Sequence, residues 1–134
     1  VVNVLVFGSR SFNDYEMMKK HMSNIIESAT DHGEPITIVS GGAKGADTLA
    51  EQFADEWEIE KDIYKPNYTK HGDLAPLVRN DTMAKLCEYG VCFWDGHSTG
   101  TLYTIRQLLN QGKTVIVNGF KPNLKKKKQE VIGV

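Results

Sequence analysis

Four stretches of the chain are continuously apolar and rich in β-branched residues: Val2 to Phe7, Ile36 to Val39, Gly90 to Trp94 and Thr114 to Val117. A strand wetted on one face alternates apolar and polar positions, whereas an unbroken run indicates a strand covered on both faces, as in parallel sheets. Between these runs the apolar period lengthens to that of a helix. Met18, Met22, Ile25, Ile26 and Ala29 form one stripe, and Ala46, Leu49, Ala50, Phe53, Ala54 and Trp57 form a second at i, i+3, i+4, i+7, i+8 and i+11. A weaker strand, Ile59 to Tyr64, stops at Lys65-Pro66, because proline cannot donate to a ladder. A loop is expected next. Pro76, well tolerated in a first turn, opens a helix through about Glu88 with Val78, Met83, Ala84 and Cys87 inward. The last helix runs from about Thr101 to Gln111 on Leu102, Ile105, Leu108 and Leu109, and Gly112 suits a left-handed cap. Strands and helices alternate throughout, which predicts an α/β fold: a Rossmann-like, doubly wound, mainly parallel sheet of about five strands flanked by helices.

The length of 134 residues fits one domain, drawn over residues 1–118 with a basic tail over 119–134. An apolar fraction of 40% is ordinary for a globular protein, and no apolar run nears the roughly 18 residues of a membrane span. Val1 to Phe7 reads as a strand rather than a signal peptide, so a cytoplasmic protein with no membrane partner is expected. Cys87 and Cys92 are too few for a disulfide framework and read as buried thiols; His21, His32, His71 and His97 lack ligand spacing, so no metal and no cofactor is expected. A formal charge of −1 argues against a protein coated for duplex DNA, and the run Lys125-Lys126-Lys127-Lys128 reads as a solvated tail that could still touch phosphate.

In an open parallel sheet, ligands collect beyond the carboxyl ends of the strands, where helix N-termini present unpaired N–H groups. Three predicted loops at that edge bear glycine and polar residues: Gly8-Ser9-Arg10-Ser11-Phe12, Ser40-Gly41-Gly42-Ala43-Lys44-Gly45-Ala46-Asp47, and Asp95-Gly96-His97-Ser98-Thr99-Gly100-Thr101. Small residues allow close backbone approach to a ligand, and hydroxyls add donors. Arg10, Lys44 and Arg79 add cations, and together these features suit a phosphate. Neither a P-loop ending in Gly-Lys-Ser/Thr nor a Gly-x-Gly-x-x-Gly fingerprint is present. Asp47 reads either as a helix-dipole partner or as a binder of sugar hydroxyls, and Asp95 is similarly placed to hold a ribose. Phe12, Tyr68 and Trp94 each offer either a stacking face for a base or a core ring.

Gly8-Ser9-Arg10 with Phe12, the Ser40 to Asp47 run, Arg79-Asn80 with Met83, and Phe93-Trp94-Asp95-Gly96 with Ser98 and Gly100-Thr101 resemble the SLOG superfamily. That group includes the Smf/DprA DNA-processing proteins and the Lonely Guy enzymes, and the chain is most similar to its small YspA-type members of bacteria and phages. The resemblance covers about Val2 to Asn118. It implies a nucleotide or nucleotide-derived small molecule held by Gly8, Ser9, Arg10, Phe12, Gly41, Gly42, Ala43, Lys44, Gly45, Asp47, Arg79, Asn80, Trp94, Asp95, Ser98, Thr99, Gly100 and Thr101. Lonely Guy enzymes cleave the N-glycosidic bond of nucleoside monophosphates with an arginine in an Arg-x-x-x-Met segment and a glutamate after a Gly-Gly-x-Gly-Thr loop. Arg79 and Met83 match the first segment, but Leu102-Tyr103-Thr104 follow Gly100-Thr101 with no glutamate. The leading expectation is therefore a binding or sensing module. The alternatives are an N-glycosidic hydrolase with Arg79 and Asp95 as its catalytic groups, and a binder of single-stranded nucleic acid. Related small domains commonly pair through their helices, so a homo-oligomer is also an expectation.

Overall fold

The computed structural model describes residues 1–122; the Lys125–Lys128 run falls outside the described residues. Five parallel strands form one sheet in the order β3-β2-β1-β4-β5. They are β1 (Val2–Gly8), β2 (Ile36–Ser40), β3 (Glu60–Ile63), β4 (Tyr89–Trp94) and β5 (Thr114–Gly119). The helices are α1 (Tyr15–Asp31), α2 (Ala46–Glu56), the short α3 (Tyr68–His71), α4 (Ala75–Leu86) and α5 (Thr99–Asn110). Among the described residues, no helix is long and apolar enough to cross a membrane.

The unbroken strands face two separate cores. Val4 and Val6 of β1, with Val91 and Phe93 of β4, point to one side, where Met18 and Met22 of α1 and Ala46, Ala50, Phe53 and Ala54 of α2 bury them. Leu5, Phe7 and Cys92 point to the other, beneath Met83 and Ala84 of α4 and Ile105 and Leu108 of α5. Period-2 alternation across a doubly covered sheet thus accounts for the apolar runs of β1, β2 and β4; the run in β5 departs from the expectation, since β5 is an edge strand and Ile116 and Val117 are 40% and 47% exposed. The edge strand β3 is different: it reads Glu60-Lys61-Asp62-Ile63, and charge on an edge discourages pairing with another chain.

Several boundaries differ from the sequence expectation. The expected loop after β3 contains α3, whose Asn67 cap accepts a hydrogen bond from the Lys70 amide at 3.1 Å. Helix α5 starts at Thr99, so Gly100 and Thr101 lie in its first turn rather than in a loop. Leu109, expected inward, is 57% exposed; Leu108 takes the core position, and Gly90 makes room for it, since a Cβ there would stand 2.5 Å from a Leu108 methyl. Beyond β5, the Phe120 amide donates to the Trp94 carbonyl at 3.1 Å, and its ring meets Phe12 edge-on.

Two glycines bring the ends of β1, β4 and α2 together. A side chain at Gly8 would collide with the Phe93 carbonyl and with Ala46, and one at Gly45 would meet the Ser9 and Arg10 carbonyls. Gly45 also has a positive φ of 78°, as does the unrelated Gly72 at 57°, around which nothing lies within 4 Å. Ala at either site pays roughly 1–2 kcal/mol for the left-handed backbone. Only Gly45→Ala adds the backbone collision. Urea unfolding should therefore show Gly45→Ala to be the more destabilised of the two by at least about 1 kcal/mol; equal losses would mean that the loops are not in close contact.

Candidate ligand-binding cleft

In the strand order, β1 and β4 are neighbours whose chains leave toward opposite edges of the sheet, and this reversal opens a crevice at their carboxyl ends. Ser9, 1% exposed, closes its floor. Its amide donates to the Phe93 carbonyl at 2.9 Å, and its carbonyl accepts from the amides of Phe12 at 3.2 Å and Ala46 at 3.3 Å. The Ser9 hydroxyl accepts from the Asp95 amide at 3.0 Å and shares a hydrogen bond of 2.9 Å with the Ser98 hydroxyl. One residue thereby joins the loops after β1 and β4 to the start of α2.

Asp95 is occupied by its own loop. Its Oδ1 accepts from the amides of His97 and Ser98, both at 2.8 Å, and the Ser98 hydroxyl reaches both carboxylate oxygens at 3.0 Å. Slight desolvation pushes its pKa up, but the Ser98 and His97 amides and the two serine hydroxyls outweigh that and hold it at about 2. Ser98 then caps α5, and the first intrahelical bond goes from the Leu102 amide to the Ser98 carbonyl at 3.2 Å. The amides of Thr99, Gly100 and Thr101 are left without intrahelical acceptors, and the three residues line the crevice. Thr101 is only 5% exposed and its hydroxyl has no partner among the described residues. Since no fully buried side-chain polar atom lacks a partner among the described residues, that hydroxyl opens on the crevice.

The opposite wall comes from the loop after β2 and from α4. Arg79 donates through Nε to Asn80 Oδ1 at 2.8 Å, and through Nη1 to the carbonyls of Gly41 and, at 3.2 Å, Tyr64. It ties α4 to the ends of β2 and β3. Burial draws its pKa down, against the pull of Asp47. Asp47, 6% exposed, accepts from the Ala43 amide at 3.2 Å. Burial raises its pKa to about 6, with the Ala43 amide and the Arg79 charge pulling the other way. The two groups flank Gly41, each with an atom within 3 Å of where a Cβ would stand, yet they form no ion pair. The ion pairs among the described residues, Lys19–Glu56 and Lys61–Asp55, lie at the far end of α2.

These walls enclose about 560 Å³, within the size range of small-molecule sites. Of the expected residues, Gly8, Ser9, Arg10, Ala43, Asp47, Arg79, Asn80, Asp95, Ser98, Thr99, Gly100 and Thr101 line it. Gly41, Gly42 and Lys44 line a smaller adjoining lobe of about 290 Å³, which shares Arg10, Ala43, Pro76 and Arg79 with the first and is bounded by Tyr68. Three expectations need correction. Phe12 is 1% exposed and stacks on Phe93 with centroids 4.7 Å apart, so it offers no face to a base. Trp94 packs into the core beneath α5 and donates from Nε1 to the Ser98 carbonyl at 3.1 Å, bracing the loop from behind. Gly45 touches the β1 loop rather than the cavity. Sequence reasoning missed Phe7, Ser11, Pro76, Leu77 and Thr104 as lining residues. Thr104 was within reach of a helical-period argument, because it lies three positions after Thr101 on one face of α5. Among the described residues, no group of three or more His, Cys, Asp or Glu could hold a metal.

Comparisons with known proteins agree with this architecture. The chain is 28% identical over 127 residues to the Gene 61 protein of Mycobacterium phage D29, covering 89% of this chain and 98% of that protein. Its fold matches that of DNA processing protein A from Helicobacter pylori, a structure described for its single-stranded DNA binding mode. The TM-score is 0.66 at 20% identity, over 96% of this chain and 73% of that one. The sequence model of the YspA, cpYpsA-related SLOG family matches residues 2–71, from β1 through both glycine-bearing loops of the first half to α3. With its doubly wound five-stranded sheet and the Gly8 to Arg10 and Gly41 to Asp47 loops meeting at one edge, the chain belongs to the YspA, cpYpsA-related SLOG family.

Proposed function

We propose that this chain binds a nucleotide or nucleotide-derived small molecule, with a phosphoryl group seated at the start of α5 against the β1 loop. The observation that carries this reading is the hydroxyl of Thr101, a cavity-lining residue only 5% exposed, which has no partner among the described residues and stands beside the first-turn amides of Thr99, Gly100 and Thr101. The oxygens of a phosphoryl group together offer enough acceptors for all four donors. The helix terminus contributes about 0.3–1 kcal/mol, up to about 2 when partly buried, and each charge-assisted hydrogen bond adds roughly 1.5–3 kcal/mol. Arg10 and Arg79 border the same cavity and add cationic partners.

Hydrolysis has less support in this geometry. Arg79 has two of its three nitrogens engaged by Asn80 and main-chain carbonyls, and Asp95 is saturated by its own loop. A second reading, binding of single-stranded nucleic acid, is favoured by the Helicobacter pylori protein that shares the fold. The two readings differ in salt response, since a strand neutralised by several cations loses affinity steeply as salt rises.

Calorimetry with nucleoside mono- and diphosphates, ADP-ribose and NAD, alongside a fluorescent single-stranded oligonucleotide, separates them. Saturable binding of a small nucleotide is expected, and Thr101→Val should weaken it about fivefold to tenfold by removing one hydrogen bond of about 1–1.5 kcal/mol. Binding of the oligonucleotide alone, with a steep salt dependence, would replace the first reading by the second.

Asp47 also predicts how stability depends on pH. Its pKa of about 6 in the folded chain lies above the ordinary value of 3.8, so folding takes up a proton between those limits and stability falls as pH rises through them. Above pH 6 the buried charge costs on the order of 2–3 kcal/mol. Asp47→Asn keeps an acceptor for the Ala43 amide without that charge. Its urea midpoint should exceed the parent's at pH 7.5, and the gap should close near pH 3.5; a gap independent of pH would show that Asp47 is not buried as a charge.

A further inference from the structure

A cavity built for an anion has no need of a carboxylate, yet Asp47 stands in its wall. Its Oδ2 is held by the Ala43 amide at 3.2 Å and the Gly41 amide also favours its charge, whereas Oδ1 has no hydrogen-bond donor of its own among the described residues. Because no side-chain oxygen is both fully buried and unpaired among the described residues, Oδ1 opens on the cleft that Asp47 lines. Its neighbour Arg79 does not neutralise it directly, since that guanidinium is turned to main-chain carbonyls across Gly41. A phosphoryl group is repelled here. The part of a ligand that fits beside Oδ1 is neutral and donates hydrogen bonds.

In a nucleotide, the sugar is the group directly joined to the phosphate, so a phosphoryl group at α5 leaves the sugar within the same 560 Å³ cavity. The base lies further out, toward the lobe bounded by Tyr68 and Lys44. Of the two acids lining the cavity, Asp95 has both oxygens engaged by the Asp95–Ser98 loop, and Asp47 alone offers a free acceptor. A carboxylate receiving the hydroxyls of a vicinal diol is the way many nucleotide sites on parallel sheets distinguish ribose.

We infer that Asp47 is a specificity residue that accepts hydrogen bonds from the ribose hydroxyls, so that the ligand class is a ribonucleotide with a free 2′,3′-diol rather than a deoxynucleotide or an internal segment of DNA. This rests on the phosphoryl site proposed above. A site built to pair a hydroxyl rejects the analogue that lacks it, because the buried acceptor is then left dry and unpaired.

The test is calorimetry with the ribo, 2′-deoxy and 2′,3′-dideoxy forms of the 5′-diphosphates of all four bases, on the parent chain and on Asp47→Ala and Asp47→Asn. For the base that binds best, the parent should prefer the ribo over the dideoxy form at least tenfold. Asp47→Ala should reduce that preference to within about twofold, chiefly by weakening the ribo form. Asp47→Asn, which keeps one acceptor and the Ala43 contact, should retain an intermediate preference and guards against a misfolded Ala variant. Equal affinity of the parent for all three sugars would overturn the inference, as would a preference that survives both substitutions. Failure of every diphosphate to bind overturns the phosphoryl site along with it. A sugar preference dependent on Asp47 but indifferent to Thr101→Val would instead leave the ribose contact standing and remove the phosphate from the start of α5.

Discussion

Ser9 makes hydrogen bonds to three separate parts of the fold, and the cleft depends on all of them. Its amide extends the β1–β4 pairing by one step, its carbonyl occupies the amide of Ala46 at the start of α2, and its hydroxyl engages Asp95 and Ser98. Every polar atom of the residue is thereby satisfied, which is what permits it to be buried. The consequence is geometric. The first amide of α2 is taken up by Ser9, whereas the first-turn amides of α5 belong to residues that line the cleft, which is why the phosphoryl site is proposed on the α5 side.

The two acids of the cleft show how environment separates groups of the same chemistry. Asp95 sits among amide and hydroxyl donors that favour its charged form and hold its pKa at about 2; Asp47 is raised to about 6 by burial, which outweighs the Ala43 and Gly41 amides and the Arg79 charge. Asp95 is consequently a building element of the loop that starts α5. Asp47 keeps an unfilled acceptor, and the energy of holding it there is a reason for it to meet a ligand rather than only the protein.

Much of this was legible in the sequence, and the reasons differ by level. The unbroken strands and the α2 stripe from Ala46 to Trp57 announced a doubly covered parallel sheet, because burial on both faces leaves no polar positions to confuse the pattern. The polar loops at one edge followed from that topology. What stayed hidden was which ring faced outward. Phe12, beside Gly8-Ser9-Arg10, looked as ready to stack on a base as Tyr68, and only the close approach of Phe93 and Phe120 shows it to be core. The role of Arg79 was hidden for a similar reason: its partners are main-chain carbonyls at Gly41 and Tyr64, and no side-chain pattern records a carbonyl's direction.

That role of Arg79 bears on how the two lobes of the cleft act together. Gly41 ends up between Arg79 and Asp47 because it has no side chain, and the carbonyl it presents to Nη1 helps fix the turn that carries Ala43 and Lys44. A half-buried guanidinium is held there by acceptors that remain whether or not a ligand is present, so the wall between the lobes is set in advance. A site with such a wall loses little freedom when it closes on a ligand, and preorganisation of this kind favours affinity. It also divides the loop after β2 between the two lobes: Gly42 and Lys44 line the outer one, and Asp47 lines the inner one.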